Sequence, residues 1–332
     1  MIIVAGEALI DLIPGSTGEL GVNPGGGPFN TARWLGRLGA DVAFLGTIAA
    51  DPLGQRLRAE LVAAGVSLDL VVPSALPTTL ALAQLDAAGA AQYSFYTDGT
   101  SAGALGAGDV ESVLSGVLGV EALEALYVGG LGLVLEPSAD AVVRAVALAR
   151  SRGAVVMLDP NVRPSLIADR EAYLERLWGV IAQTSVLKLS VDDLEWLAPG
   201  EPPRAAARGL LERGPGLVLL TEGEAGATVF TADGGAVSEV TVPAIEVEVA
   251  DTIGAGDAFS AGFLSRWLER GEGKLSPGQL SFPASGARAD RPEEAAAAFA
   301  VRVAALACSL RGATPPADLE GLVALGGLGV GG

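Results

Sequence analysis

The chain contains no histidine in its 332 residues. That absence removes histidine-based catalytic triads, HExxH zinc sites and imidazole acid–base chemistry. Proton transfers in such a protein fall to Asp, Glu, Lys or Tyr. Only one cysteine is present, Cys308, so there is no internal disulfide and no thiolate metal cluster. It reads as a small buried apolar residue, and a reducing, cytoplasmic compartment is the default. Positive charge is scarce: 21 Lys and Arg stand against 39 Asp and Glu, a net charge of −18. No basic stripe is visible, which argues against a nucleic-acid partner. A local anion site remains open, because helix N-termini bind phosphate without any lysine. No run approaches the ~20 apolar residues needed to span a bilayer, so no membrane partner is expected. The opening segment, MIIVAGEALIDLIP, lacks a basic start and carries Glu7 and Asp11 within its apolar run; it reads as a first strand and not as a signal peptide.

What is present is ample apolar material, 50% of residues, with 18% charged. This suits one large ordered α/β domain with a small accessory element. Short apolar runs alternate with helical patterns. Strands are expected at 41–46, 125–128, 154–159, 186–189 and 217–221. Helices are expected at 30–38, 52–64, 138–152, 171–183, 205–213 and 293–310. Such alternation predicts parallel βαβ units in a three-layer α/β/α sandwich with a mostly parallel central sheet. Residues 78–85 and 91–97 break the pattern: two strand-like runs flank the turn DAAGA with no helix between them. With 67–72 and 14–22 they predict a small β-sheet lid, the alternative being an edge hairpin of the main sheet. The stretch 271–292 reads as a surface connection, and the Gly-rich tail 326–332 as frayed. Residues 1–325 are thus expected to form a single domain.

The most informative segment is VADTIGAGDAFSAGF, residues 249–263. A strand-like run ends at Asp251, the glycine loop Gly254–Ala255–Gly256 follows, and a helix begins near Asp257. Glycines let backbone N–H groups converge on one point, and the positive helix end adds to them, a site for a phosphate that redistributes charge. Asp257 is open to two roles there. It can cap the helix, the common role of Asp at that place, or face an incoming hydroxyl and accept its proton. No G-x-x-x-x-G-K-[ST] loop, complete G-x-G-x-x-G fingerprint or protein-kinase signature set is present. A second segment, PGGGPFNTARWLGRLG (24–39), sets three glycines before a helix, with Asn30 suited to a polyol hydroxyl. It reads equally as a glycine turn with an Asn cap. Asp11 follows the first strand, as a sugar ligand or a turn residue.

Together these segments make the chain resemble the ribokinase-like (pfkB-type) carbohydrate kinases. The resemblance runs from GEALID to LACSLRGATPP, with GGGPFN matching the N-terminal signature and DTIGAGDAF the C-terminal one. It implies a three-layer sandwich with a β-sheet lid, ATP as donor, a sugar acceptor and Mg²⁺. It assigns Asp257 as base and Gly254, Ala255 and Gly256 as anion hole. Asp11, Gly25, Gly26 and Asn30 would contact the sugar. LLTEGEAGATVF looks like the family's nucleotide-binding strand pair, which sets Thr221, Gly223 and Gly226 near ATP. Many members use a monovalent cation, K⁺; here Asp251 would hold it, with Ile253, Ala307 and Gly312. The family's Asn-x-x-Glu is replaced by Ser190-Val191-Asp192-Asp193, which leaves Asp193 as the Mg²⁺-associated carboxylate and Ser190 and Lys188 near phosphate, Lys188 reading equally as a surface lysine. A lid sheet leaves a homodimer through the lid open.

For the acceptor, DPNVRP (159–164) is similar to the Asp-x-Asn-x-Arg of fructokinase-like and 2-keto-3-deoxygluconate kinase members. Arg163 then binds sugar hydroxyls or a carboxylate, or pairs with Asp159. TARWLGRLG and LKLSVDDLEWL look most like fructokinases, so fructose is the expected acceptor, with the keto-deoxy acid or ribose as alternatives. Tyr93, Phe95 and Tyr96 are placed on the lid, over the sugar or holding the lid together. A sugar- or nucleotide-binding sensor without turnover is the non-enzymatic alternative.

Overall fold

The structure, a computed structural model, describes residues 1–14, 19–85, 91–117, 123–233, 236–269 and 291–319. The DAAGA turn, most of the 271–292 connection and the 326–332 tail lie outside the described residues.

Nine strands form the main sheet. They are β1 (Ile2–Ala5), β4 (Val42–Ala49), β5 (Val71–Ser74), β8 (Ala125–Gly129), β9 (Val155–Asp159), β10 (Val186–Ser190), β11 (Leu217–Thr221), β12 (Ala227–Asp233) and β13 (Ala236–Val242). Their order is β13-β12-β11-β10-β9-β8-β1-β4-β5. The seven from β11 to β5 are parallel; β12 runs antiparallel to both β11 and β13. The central strands are near-continuous apolar runs because both of their faces are covered. Successive residues alternate between two cores: Ile2 and Val4 join one, Ile3 and Ala5 the other, and Ala125 and Tyr127 face away from Leu126 and Val128. Helices α1 (Gly27–Arg37), α2 (Pro52–Ala63), α8 (Ala255–Glu269) and α9 (Pro292–Cys308) pack on the first face. Helices α3 (Ala107–Val117), α4 (Ser138–Ser151), α5 (Arg170–Ile181), α6 (Val191–Leu197) and α7 (Pro203–Gly209) cover the second. This is the expected three-layer α/β sandwich.

A separate four-stranded sheet has the order β3-β2-β6-β7, built from β2 (Leu9–Pro14), β3 (Leu20–Gly25), β6 (Leu80–Leu85) and β7 (Ala91–Tyr96). Three expectations need correction here. The opening run is two strands in two sheets, because Gly6 at φ 153° turns the chain between them. Residues 67–72 do not join the small sheet: Ser67 bridges Ala43 and β5 extends the main sheet beside β4, where Leu70 packs into the second core. The run before Asp251 forms no strand; residues 243–252 are irregular and largely exposed.

Gly6 is a steric necessity. A Cβ there would collide with the Pro28 ring at the start of α1. We expect Gly6→Ala to cost about 2 kcal/mol or more of stability, read as a lower urea midpoint with an unchanged m-value. An unshifted midpoint would show that the β1–β2 turn relaxes freely.

Candidate active site

The parallel strands end, at their C-terminal edges, in an open cleft of about 370 Å³ roofed by the small sheet. Ligands of open α/β sheets bind at such edges. One wall comes from β2 and β7 with Asp11, Tyr93 and Phe95; a second from α1 with Gly26, Gly27 and Asn30. The floor comes from the segments that follow β1, β8 and β9, and the far end from β10, β11 and the start of α8.

Asp257 lies in the first turn of α8 and is 7% exposed, yet it lines the cleft. It does not cap its helix. Its Oδ2 accepts from Asn30 Nδ2 at 3.0 Å, a bond between α1 and α8. Burial pushes its carboxyl up to about 7; Asn30 and the cations Lys188 and Arg163 pull the other way, while Asp159 adds to the rise. A carboxyl poised near neutrality beside a cleft can take a proton from a hydroxyl. Asn30 Oδ1 is buried without a hydrogen-bond partner among the described residues, an acceptor left unused.

Of the amides in the glycine loop and at the start of α8, one is already engaged. Among the described residues, nothing accepts from the N–H groups of Gly254, Gly256 or Asp257, whereas Ala255 N–H already donates to the Thr252 carbonyl at 3.2 Å. Ala255 also does not line the cleft. Gly254 sits at φ 78°, and a Cβ there would press on Ala313. Gly256 leaves room for Lys188, whose Nζ is 3.1 Å from where its Cβ would stand.

Lys188 is not a surface lysine. It is 4% exposed and pairs with Asp159 Oδ2 at 2.9 Å. Burial works against its charge, but Asp159 and Asp193 outweigh this and hold the ammonium above its ordinary value. Arg163 therefore has no pairing with Asp159. Its Nη1 donates to the carbonyls of Asn161 and Val162, at 3.1 and 3.2 Å, and the side chain faces the cleft. Asp11 stands opposite, pushed up to about 6 by burial, with Arg163 pulling it down. Gly25 lies behind it, where a Cβ would collide with the Asp11 carboxylate.

Several expected residues stand elsewhere. Asp193 does not line the cleft: its Oδ2 accepts from Ser190 N–H and Oγ at 2.8 and 2.6 Å, and its Oδ1 from Val162 N–H at 2.8 Å. This caps α6 and pins the Arg163 loop. A carboxylate so engaged does not fit a direct metal ligand, and among the described residues no group of three acidic or thiol side chains could hold a metal ion. Thr221 and Ser190 line the cleft, whereas Gly223 and Gly226 form the turn into β12, Gly226 at φ 92° against the Val242 carbonyl. Asp251 gathers two expected neighbours, accepting from Ile253 and Gly312 N–H at 3.0 Å each. The Ala307 carbonyl accepts from Leu310. Phe95 stacks on Tyr93 at 6.1 Å along the cleft roof, while Tyr96 points outward, 56% exposed.

Glu7 and Asn161 are among the cleft residues that the sequence reading did not single out. Glu7, 3% exposed, is pushed up to about 7, chiefly by burial. Its signal was a lone carboxylate inside an apolar strand pattern. Asn161, at φ 43°, is the only described non-glycine residue with positive φ; such outliers concentrate at functional sites.

Residues 1–319 match the family model described as pfkB family carbohydrate kinase. The chain belongs to the pfkB family of carbohydrate kinases. It is therefore a phosphotransferase acting on a sugar hydroxyl. Among its relatives, the chain is 37% identical to a fructokinase of Rhizobium leguminosarum bv. trifolii, over 80% of this chain and 79% of that protein. It is 32% identical to a Klebsiella pneumoniae fructokinase, over 79% and 82%. The crystal structure of a Xylella fastidiosa fructokinase with bound ATP superposes with a TM-score of 0.80 at 28% identity, covering 98% and 97% of the two chains. No helix among the described residues is long and apolar enough to cross a membrane.

The raised carboxyls have a consequence for pfkB-type stability. Glu7, Asp11 and Asp257 hold protons more tightly folded than unfolded, where 4.5, 3.8 and 3.8 apply. Their contribution is present at low pH and lost as pH rises through about 6 to 7. We expect a higher Tm at pH 5.5 than at pH 8 by calorimetry, with the difference reduced in Asp257→Asn. An equal difference in that variant would remove Asp257 from the cause.

Proposed function

We propose that the protein is a fructokinase, transferring the γ-phosphoryl group of ATP to a terminal hydroxyl of fructose, with Asp257 as the base. The observation that carries the reading is the Asn30–Asp257 pair: a carboxyl near neutrality, held at the cleft beside three backbone N–H groups without an acceptor among the described residues. In the ionised form Asp257 accepts the hydroxyl proton as the oxygen attacks phosphorus. The N–H groups of Gly254, Gly256 and Asp257 and the α8 dipole stabilise the charge on the transferring group. Asp11, Asn30 and Arg163 orient the sugar beneath Tyr93 and Phe95, and Lys188, Ser190 and Thr221 face the phosphates.

A neutral acceptor is favoured over the keto-deoxy acid. Glu7, Asp11 and Asp257 line the cleft, and Lys188 is neutralised by Asp159. Among the described residues, Arg163 is left as the one cleft cation without a carboxylate ion pair, too little to attract a second carboxylate. The names of the relatives point the same way. A Vibrio cholerae fructokinase double mutant of the same fold, at 24% identity and a TM-score of 0.81, is described in a fructose-, ADP- and potassium-bound form. A monovalent cation beside Asp251 would offset its charge and stiffen the loop before α8; Ile253 and Gly312, whose N–H groups bring their backbone to Asp251, would share it through their carbonyl oxygens. Mg²⁺, which neutralises nucleotide phosphates, would rest mainly on the phosphates and water; no step is assigned to Asp193.

Asp257→Asn should lower kcat by about 10²- to 10⁴-fold with nearly unchanged ATP binding; wild-type kcat in that variant would refute the base. For the wild type, a coupled ADP-release assay over fructose, ribose and 2-keto-3-deoxygluconate should favour fructose. The same assay with K⁺ replaced by choline should run slower, and indifference removes the cation from Asp251.

A further inference from the structure

We propose that Glu7 is a positioning residue for the acceptor sugar, a clamp that ties the loop opening α1 to the loop leaving β8. The proposal rests on the sugar-kinase reading of the cleft. Helix α1 starts without a side-chain cap, since its N-cap is Gly26. The first N–H groups of a helix need acceptors. Glu7, twenty residues away in sequence, supplies one: its Oε1 accepts from Gly27 N–H at 3.1 Å. Its other oxygen accepts from Gly132 N–H at 3.3 Å, on the opposite side of the cleft floor.

Both loops are shaped around this carboxylate. A Cβ on Gly130, which sits at φ 60°, would stand 2.5 and 2.8 Å from the two Glu7 oxygens. A Cβ on Gly27 would fall 3.1 Å from Asn161 Nδ2, 3.3 Å from Asp257 Oδ1 and 3.8 Å from Glu7 Oε1. What each arm holds is functional. Gly27 begins the turn that carries Asn30 to Asp257. Gly132 follows Leu131, which packs with Leu9 and Ala81 beneath Tyr93 and Phe95. Glu7 thereby sets the spacing between the polar wall that meets the sugar and the apolar floor under the roof.

The side chain must be a carboxylate for this. Two backbone donors converge on it, and only a carboxylate offers an acceptor to each; an amide offers one acceptor and one competing donor. A buried carboxylate is costly to keep unless its hydrogen bonds are made. Burial of an acid here is consistent with a demand that an apolar residue would not meet.

Wild-type turnover of fructose is measured first: without it the reading of the cleft fails and this proposal with it. Given turnover, Glu7→Gln should raise KM for fructose about tenfold or more, the loss of one hydrogen bond to a charged group, with KM for ATP within about twofold of wild type. Glu7→Asp, too short to reach both amides, should move KM in the same direction. A role confined to stability would lower Tm and leave KM for fructose unchanged in the folded variants, and that result overturns the proposal, as does an equal rise in both KM values. Should neither variant fold, deuterium exchange on the wild type decides: the amides of Gly27 and Gly132 are expected to be protected and to slow further with fructose, and rapid exchange at either overturns the clamp.

Discussion

The hydrogen bond from Asn30 to Asp257 joins α1 to α8 at the point where both helices begin. Each helix start brings a glycine loop with it, so this one contact sets two glycine-rich walls of the cleft against each other. It also returns some acidity to the buried carboxyl, because a donated N–H favours the ionised form that burial disfavours. The opposing effects leave the group near neutrality. Were Asn30 apolar, burial would be less opposed and the carboxyl would hold its proton more firmly. The Oδ1 of the same amide has no partner among the described residues, so in the proposed reading one side chain serves both the protein's own acid and the sugar.

Around that contact the cleft separates its charges by depth. Lys188 lines the cleft but keeps its ammonium on the deeper Asp159 carboxylate, because a lone lysine would be expensive to bury. Arg163 stays at the surface of the cleft, steadied by the carbonyls of its own loop. That loop is in turn fixed by Asp193 through Val162. The position of Arg163 thus follows from backbone hydrogen bonds within its own loop, whereas that of Lys188 follows from an ion pair.

Much of this was legible in the sequence. The apolar runs of β9, β10 and β11 and the Pro52 helix start are local signals, and they sit where the residues suggested. So do the glycine turn and Asp257, because a loop–helix junction is itself a local pattern. What failed was nonlocal. Nothing in 67–72 tells that its strand pairs with β4; the partner is set by Leu70 reaching the core. The engagement of Asp193 depends on Val162, thirty-one residues earlier. Glu7 was visible as an oddity, but its two acceptors' partners lie on α1 and beyond β8, which no window of sequence brings together. The single first strand was misread because Gly6 was taken for an ordinary strand residue, when its backbone angle divides two sheets.

The division of labour along the main sheet carries a consequence of its own. Asp11, Asn30, Asn161 and Arg163 stand on β2, α1 and the loop after β9, while Ser190 and Thr221 stand at the ends of β10 and β11. The two groups share no loop. In the proposed arrangement the molecule is modular in its chemistry: descendants of such a scaffold can acquire a new acceptor by rewriting a few turn residues at one edge, while the apparatus that handles the nucleotide is inherited untouched.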